Sequence, residues 1–351
     1  MAGLSLDIIK RAAADAVQAA NSPSGRSTLA TTAAVVLGLA TIPCVNRLAS
    51  NYSLGNTLFA STPLASTSPE WSDWSKEIVL ITGGSSGIGR IMVHEFARRG
   101  VKLVVLDRQR PLESGADGGR FPGPDQGVHF YEFDLTAPDS ALETLAARIR
   151  REVGEPTVVI NNAGIGHGLS LLEATNDQMR LVFAINAVAP IRITREFLPS
   201  MIRKKHGHIV NVASMASFVT IASNVDYSCT KAGLLAFHEG LTQELKHRYS
   251  APEIRTTIVH PHFVKTPLLG EATTDSDATN SARFQGGLLD ANTVALGVVD
   301  QVLAGRSGQL FYPPKFASGT LIRAMPTWLQ EHIRGTFATV FVRPMAMGEK
   351  K

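Results

Sequence analysis

Three side chains past the middle of the chain have the types and spacing for acid/base work on an oxygen. Tyr227 and Lys231 stand four apart in Tyr227-Ser228-Cys229-Thr230-Lys231, so on a helix they project from one face and the ammonium can sit beside the phenol. A neighbouring cation favours phenolate, which predicts a phenol drawn down from its ordinary pKa of about 10 toward neutrality. Ser214, thirteen residues before the tyrosine, supplies a hydroxyl able to donate to the same substrate oxygen and to stabilise charge developing there. The plainer alternatives are a half-buried core tyrosine and a solvated helix lysine.

A second group is suited to phosphate. Thr82-Gly83-Gly84-Ser85-Ser86-Gly87-Ile88-Gly89 follows a short apolar run and opens a helix-like stretch. Glycines in such a turn let the backbone approach a pyrophosphate, and the N–H groups and dipole of the helix start attract its charge. Gly83, Ser85, Ser86, Gly87, Ile88 and Gly89 are the expected contacts. The next apolar run ends Val105-Leu106-Asp107, with the acid eighteen residues after Gly89. A carboxylate at that tip accepts from an adenosine ribose and repels a 2′-phosphate, which favours NAD over NADP, whereas the guanidinium of Arg108 beside it would accommodate the phosphate.

These residues need a scaffold, and the sequence supplies one. Ile78-Val79-Leu80-Ile81 is a continuous apolar run bounded by Gly83 and Gly84, as expected for a strand covered on both faces. A helix-like stretch from Ile88 to Arg99 leads to Val101 to Leu106, and further strands are expected at Val128 to Phe133, Val158 to Ile160, His208 to Val212, Thr256 to Val259 and Gln309 to Tyr312. Strands alternating with crossover-length segments predict an α/β fold, a doubly wound Rossmann-type parallel sheet with N- and C-terminal extensions. The expected division is 1–75, 76–314 and 315–351. Leu268 to Gln285, polar and aperiodic after a strand that ends near the ligand face, reads either as a flap over substrate or as a surface insertion.

Composition narrows the class. The chain has 351 residues, with charged residues at 18% and hydrophobic ones at 44%, against about 25% charged in average domains, which excludes a disordered chain. The net charge is +4, and no Lys/Arg stripe with interleaved aromatics occurs, so no nucleic-acid partner is expected. From Lys315 onward six basic residues meet two acidic ones, an excess equal to that of the whole chain. Mixed with Phe316, Leu321, Ile322, Trp328, Leu329, Phe337 and Phe341, these charges suit an anionic membrane surface. A helix lining a pocket or a dimer contact would have the same composition. Residues 27–46 are uncharged, about the length of a membrane span but diluted by Thr, Gly and Pro, so membrane anchoring and packing on the domain both stay open. Two cysteines, Cys44 and Cys229, build no disulfide framework, and a cytosol-facing location is expected. His260 and His262 lack an acid or cysteine at ligand spacing, so they are expected as solvated or core histidines, with no metal. Cys229 reads as a small helix residue.

The glycine turn in its Gly-x-x-x-Gly-x-Gly form, Asn161-Asn162-Ala163-Gly164 after the fourth strand, and Ser214 ahead of Tyr227 and Lys231 together resemble the short-chain dehydrogenase/reductase family from about Lys76 to Tyr312. The resemblance implies NAD or NADP as cofactor, with Asp134 and Leu135 near adenine, and Asn161, Ala163 and Gly164 along the cofactor. It also implies that Lys231 binds the nicotinamide ribose and that Asn186, on the helix before, holds a water that relays protons. Val264 and Thr266 would meet the nicotinamide end. His262 stands where the family has glycine. The Trp71-Ser72-Asp73-Trp74 lead-in, Phe263-Val264-Lys265-Thr266 and the extended tail resemble the branch with membrane- and lipid-droplet-associated 17β-hydroxysteroid and retinol dehydrogenases. That branch implies oxidoreduction of an alcohol and its ketone or aldehyde on a retinoid, steroid or lipid-like substrate at an endoplasmic-reticulum or lipid-droplet membrane, with homodimerisation open. The rival expectations are an NADPH-dependent carbonyl reductase of a biosynthetic pathway and a non-catalytic nucleotide-binding membrane-surface protein.

Overall fold

The computed structural model describes residues 46, 48–54, 56, 71–111, 120–269 and 287–337. Two compact units divide the chain, Met1–Phe59 and Ala60–Lys351. In the first, the described residues are helical over 48–53. The candidate anchoring segment 27–46, apart from Asn46, lies outside the described residues, as do most of the Leu268 to Gln285 flap and the tail beyond Phe337. Among the described residues no helix is long and apolar enough to cross a membrane.

The second unit is built on seven parallel strands: β1 Ile78–Thr82, β2 Lys102–Asp107, β3 Val128–Glu132, β4 Val158–Asn161, β5 His208–Val212, β6 Arg255–Pro261 and β7 Gly308–Tyr312. Every residue of β1 is buried, the burial its uninterrupted apolar run calls for. Successive side chains point to opposite faces. Val79 and Ile81 therefore pack on Met92, Val93 and Phe96 of α1 (Gly87–Arg98), and Ile78 and Leu80 join Leu142, Phe197 and Leu245 on the other face. That second layer is supplied by α2 (Asp139–Glu152), α3 (Asn176–Phe183), α4 (Ala189–Lys204) and α5 (Val225–His247), and α6 (Ala291–Leu303) completes the first. Each fully buried Leu, Ile or Phe contributes roughly 1.5–3 kcal/mol of hydrophobic stabilisation before its ordering entropy is charged against it.

The strand order is β3-β2-β1-β4-β5-β6-β7. The chain winds outward from β1 to β3, then returns to β4 on the other side of β1. Beyond the carboxyl ends of β1 and β4 the flanking connections diverge and leave a crevice, the position at which doubly wound sheets bind ligands. Trp71 seals the far end of the sheet: it is 1% exposed, lies 4.2 Å centroid to centroid from His206, and fills the space over Gly305. The His206 Nε2 in turn reaches both oxygens of Glu77, at 3.1 and 3.0 Å.

Candidate active site

A cavity of about 1370 Å3 opens at the crevice and runs from Asp107 to Ser214 and Tyr227. Single small-molecule pockets span roughly 300–1,000 Å3, so this one has room for two ligands end to end.

The turn between β1 and α1 forms one end. Gly83 has φ +68°, and a Cβ there would lie 2.8 Å from the Cα of Ala163. Gly87 has φ +54° and faces Thr266. Ser86 caps α1 without a side-chain hydrogen bond to it, so the donors of the first turn are left for an anion. Gly83, Ser86, Gly87 and Ile88 line the cavity, while Ser85 and Gly89 stand behind it. Gly89 is pressed against the Gly83 carbonyl and the Asn162 side chain. At the tip of β2, Asp107 accepts the Ser85 backbone N–H at 3.0 Å and that of Gln109 at 3.1 Å.

Asp134 and Leu135 line the same end. Asp134 accepts from the backbone and hydroxyl of Thr136, and these bonds, helped by the nearby Arg108, hold its carboxyl below the usual range. These residues fit a dinucleotide: a cradle that a Cβ would fill, an uncapped helix start, and a carboxylate at the second strand tip.

Ala163 and Gly164 line the cavity as expected, but Asn161 does not. Its side chain is 2% exposed and turns into the sheet, donating to Thr194 Oγ1 at 3.1 Å and Asn211 Oδ1 at 2.9 Å. As the last residue of β4 it points away from the crevice by strand alternation. Its neighbour Asn162 reaches the turn instead, donating to the carbonyls of Thr82 and Gly83 at 3.0 and 2.9 Å.

Tyr227 and Lys231 do share one face of α5, with the Lys231 Nζ 5.5 Å from the centre of the Tyr227 ring. The expected lowering of the phenol is not what the structure gives. Burial pushes Tyr227 up to about 12, opposed by a hydrogen bond from Ser214. The ammonium donates to the Val212 carbonyl at 2.9 Å and is itself drawn down to about 8 by burial. Helical spacing put the two groups on one face, but desolvation of the charged forms outweighs their attraction.

Ser214 begins the 3-10 turn Met215–Ser217, its oxygen accepting from the Ala216 N–H at 3.1 Å. Behind it, His260 Nδ1 donates to the Ser214 carbonyl at 3.1 Å, which fixes the tautomer. The His260 ring packs with Phe218 and Phe311 in a three-ring cluster, and burial draws it down to about 4. His262 stacks flush on Phe316, with centroids 4.6 Å apart and planes 1° apart. His260 is a core histidine, whereas His262 is half-buried and lines the cavity wall.

Asn186 sits not in a regular helix but in a π-helical turn, Ala184–Val188, between α3 and α4. Such wide turns recur at functional sites. Its side chain is fully buried, accepting from the Ile165 N–H and donating to the Ile165 carbonyl, both at 2.8 Å, and donating to Thr230 at 3.3 Å. Through these bonds Asn186 ties the Ile165 backbone to Thr230 of α5. Val264 and Thr266 line the cavity beside Gly87. Cys229 is exposed.

The rest of the wall comes from residues that the motifs did not single out. Val219, Ile221, Leu268 and Leu269 form the sides, and the C-terminal segment makes a roof. Its parts are the 3-10 stretch Pro314–Ala324 and α7 (Thr327–Phe337), contributing Phe316, Leu321, Ile322, Met325 and Ile333. Of the three uses open to the tail, membrane surface, pocket lining and dimer contact, the described part takes the second. Arg323 ties it down, donating to the Ser217 carbonyl at 2.8 Å and that of Phe218 at 3.4 Å. Also unforeseen are His167, on the cavity wall, and Asp226, which meet at 2.9 Å.

Comparison with known proteins agrees with this geometry. The family model for short chain dehydrogenases matches residues 77–277. Dehydrogenase RED2 of Cochliobolus heterostrophus is 42% identical over 193 residues, 55% of this chain and 70% of that protein. Retinol dehydrogenase 10-B of Xenopus laevis is 36% identical over 214 residues, 54% of this chain and 62% of that protein. Among solved structures, 4-hydroxyisoleucine dehydrogenase complexed with NADH superimposes with a TM-score of 0.58 at 21% identity, covering 67% of this chain and 96% of that one.

Proposed function

This chain belongs to the short-chain dehydrogenase family and is an NAD(P)-dependent dehydrogenase, and from that premise we propose that it interconverts a lipophilic alcohol and its carbonyl with Tyr227 as the acid/base. The observation that carries the substrate class is the wall beyond Ser214 and Tyr227. Val219, Ile221, Leu268, Leu269, Phe316, Leu321, Ile322 and Met325 leave few polar partners there, so a substrate with many hydroxyls or charges would lose hydration without replacement.

The bound nicotinamide cofactor supplies the hydride acceptor or donor. In the reducing direction the Tyr227 phenol donates its proton to the carbonyl oxygen, and in the oxidising direction its phenolate, the minor form at neutral pH with the phenol raised to about 12, takes the alcohol proton. Ser214 donates to the same substrate oxygen and favours phenolate. Lys231, held by the Val212 carbonyl, orients toward the ribose end and keeps a positive charge beside the ring. Asn186 fixes the backbone at Ile165. Asp107 would face the adenosine ribose and favour NAD. An NADPH-dependent carbonyl reductase of a biosynthetic pathway is disfavoured by the Asp107 carboxylate at the tip of β2.

The roof also faces outward. Leu321 is 60% and Trp328 72% exposed, so the segment that covers the cavity also presents apolar side chains suited to a lipid surface. A blue shift of Trp328 emission on anionic vesicles, absent in Trp328→Ala, is the result expected for that surface role; unchanged emission counts against it.

The substrate test is a screen of retinol, a steroid alcohol, a fatty alcohol and a short polar alcohol with NAD and with NADP, read at the reduced-cofactor absorbance. Turnover of one of the first three with NAD is expected. Turnover of the polar alcohol alone contradicts the reading.

A further inference from the structure

We propose that His167 is a positioning residue for Tyr227, acting through Asp226 to pin a glycine-rich strap across the phenol ring. The inference rests on the acid/base role given to Tyr227 above.

The strap is Gly164-Ile165-Gly166-His167-Gly168, which leaves the end of β4 and crosses the cavity wall. Its glycines have local reasons. A Cβ on Gly166 would lie 3.3 Å from Cδ2 of Tyr227, tighter than an ordinary contact, so the strap rests directly on the phenol ring. Gly168 adopts φ 61°. Gly164 lies against the Lys231 ammonium and the Asn186 side chain. Three glycines in five residues also give the strap much conformational freedom to lose. It holds one geometry only where outside groups pin it.

Two pins flank Gly166. On one side the Asn186 amide clamps the N–H and carbonyl of Ile165, both at 2.8 Å. On the other, His167 Nε2 lies 2.9 Å from Asp226 Oδ2, a close contact between two buried polar atoms outside hydrogen-bond alignment, with the side chains only 18% and 9% exposed. Asp226 Oδ1 accepts the backbone N–H of Tyr227 itself, at 2.7 Å. One carboxylate therefore bonds the backbone of Tyr227 and touches the strap that rests on it. Asp226 lies in the first turn of α5, where the helix dipole favours its charge. Without His167 the strap keeps one pin of two, and Asp226 keeps a buried charge with one partner fewer.

The test uses the full chain as wild type, His167→Ala, His167→Gln, Asp226→Asn and the double variant His167→Ala/Asp226→Asn. Three readouts are taken: kcat and KM with retinol and NAD, the NADH dissociation constant, and backbone amide exchange over residues 164–168. Each of His167→Ala and Asp226→Asn is expected to lose about tenfold in kcat, since small misplacements of a reacting group are costly. The double variant should lose no more than the worse single, because the two side chains act as one unit. Glutamine keeps an N–H donor and should restore kcat to within roughly threefold. NADH affinity should hold within about twofold, while strap amides exchange at least about fivefold faster in His167→Ala. Unchanged strap exchange, an unchanged kcat, or losses that multiply in the double variant would each overturn the proposal. Should the wild type turn over no alcohol, the reading of the reaction fails while strap exchange still decides this inference.

Discussion

Asp107 holds the turn that it faces: its carboxylate accepts the Ser85 backbone N–H at 3.0 Å, across the gap between the tip of β2 and the start of α1. A second backbone N–H, from Gln109, occupies the other oxygen at 3.1 Å. A carboxylate has about four acceptor sites, so two remain for ribose hydroxyls. The same group shapes the cradle and keeps acceptor sites free toward it.

Replacing Asp107 with Ser removes the charge that opposes a 2′-phosphate and leaves Arg108 on the cavity wall. The ratio of NADH to NADPH affinity should move toward NADPH by about tenfold or more. Energy transfer from tryptophan to bound nicotinamide measures both constants, and an unchanged ratio would show that Asp107 does not select the cofactor.

Gly89 and Gly233 should respond oppositely to alanine. Gly89 has no room for a Cβ against the Gly83 carbonyl. Its replacement should cost about 1–3 kcal/mol of stability and weaken NADH binding by about tenfold or more through the displaced turn. Gly233, inside α5 with nothing within 4 Å of a built Cβ, should instead gain about 0.5–1 kcal/mol as alanine. Denaturant midpoints and NADH titrations check the pair.

Stability should fall in mild acid. Burial draws His208 down to about 3, and His238, His260 and His262 to about 4, whereas in the unfolded chain they titrate near the ordinary value of about 6.5. Folded-state pKa values below unfolded ones mean that, as pH falls from about 6.5 toward 4, the unfolded chain binds protons that the native one refuses. Urea midpoints should hold near neutrality and drop across that window. His238→Gln should drop less steeply; an equal slope would remove His238 from the account.

The roof can be tested at its rim. Leu321 lines the cavity while standing 60% exposed, so Leu321→Asp should fold normally. A charge at the apolar wall should raise KM for retinol by about tenfold without altering NADH affinity. An equal effect on a short polar alcohol would mean that the roof does not select lipophilic substrates.

The sheet was legible because strands covered on both faces leave uninterrupted apolar runs. Ile78 to Ile81 became β1 with one residue added, and His208 to Val212 matched β5 to the residue. The Gly83 to Gly89 turn was equally plain, since a tight strand-to-helix turn demands glycine. Partners distant in sequence were not legible. Nothing near His167 announces Asp226, and nothing in the tail announces that Arg323 reaches the Ser217 carbonyl. Spacing placed Lys231 beside Tyr227 but said nothing of their burial, which sets the phenol's pKa. Asn161 and Asn162 were indistinguishable by type; only strand alternation decides which one turns to the crevice.

The central claim is that Tyr227 carries the proton. Its most direct test compares wild type and Tyr227→Phe in NAD reduction with retinol, alongside NADH titration of both. The expected result is a loss of turnover of about 100- to 10,000-fold with NADH affinity nearly unchanged. Undiminished turnover in Tyr227→Phe would contradict the account.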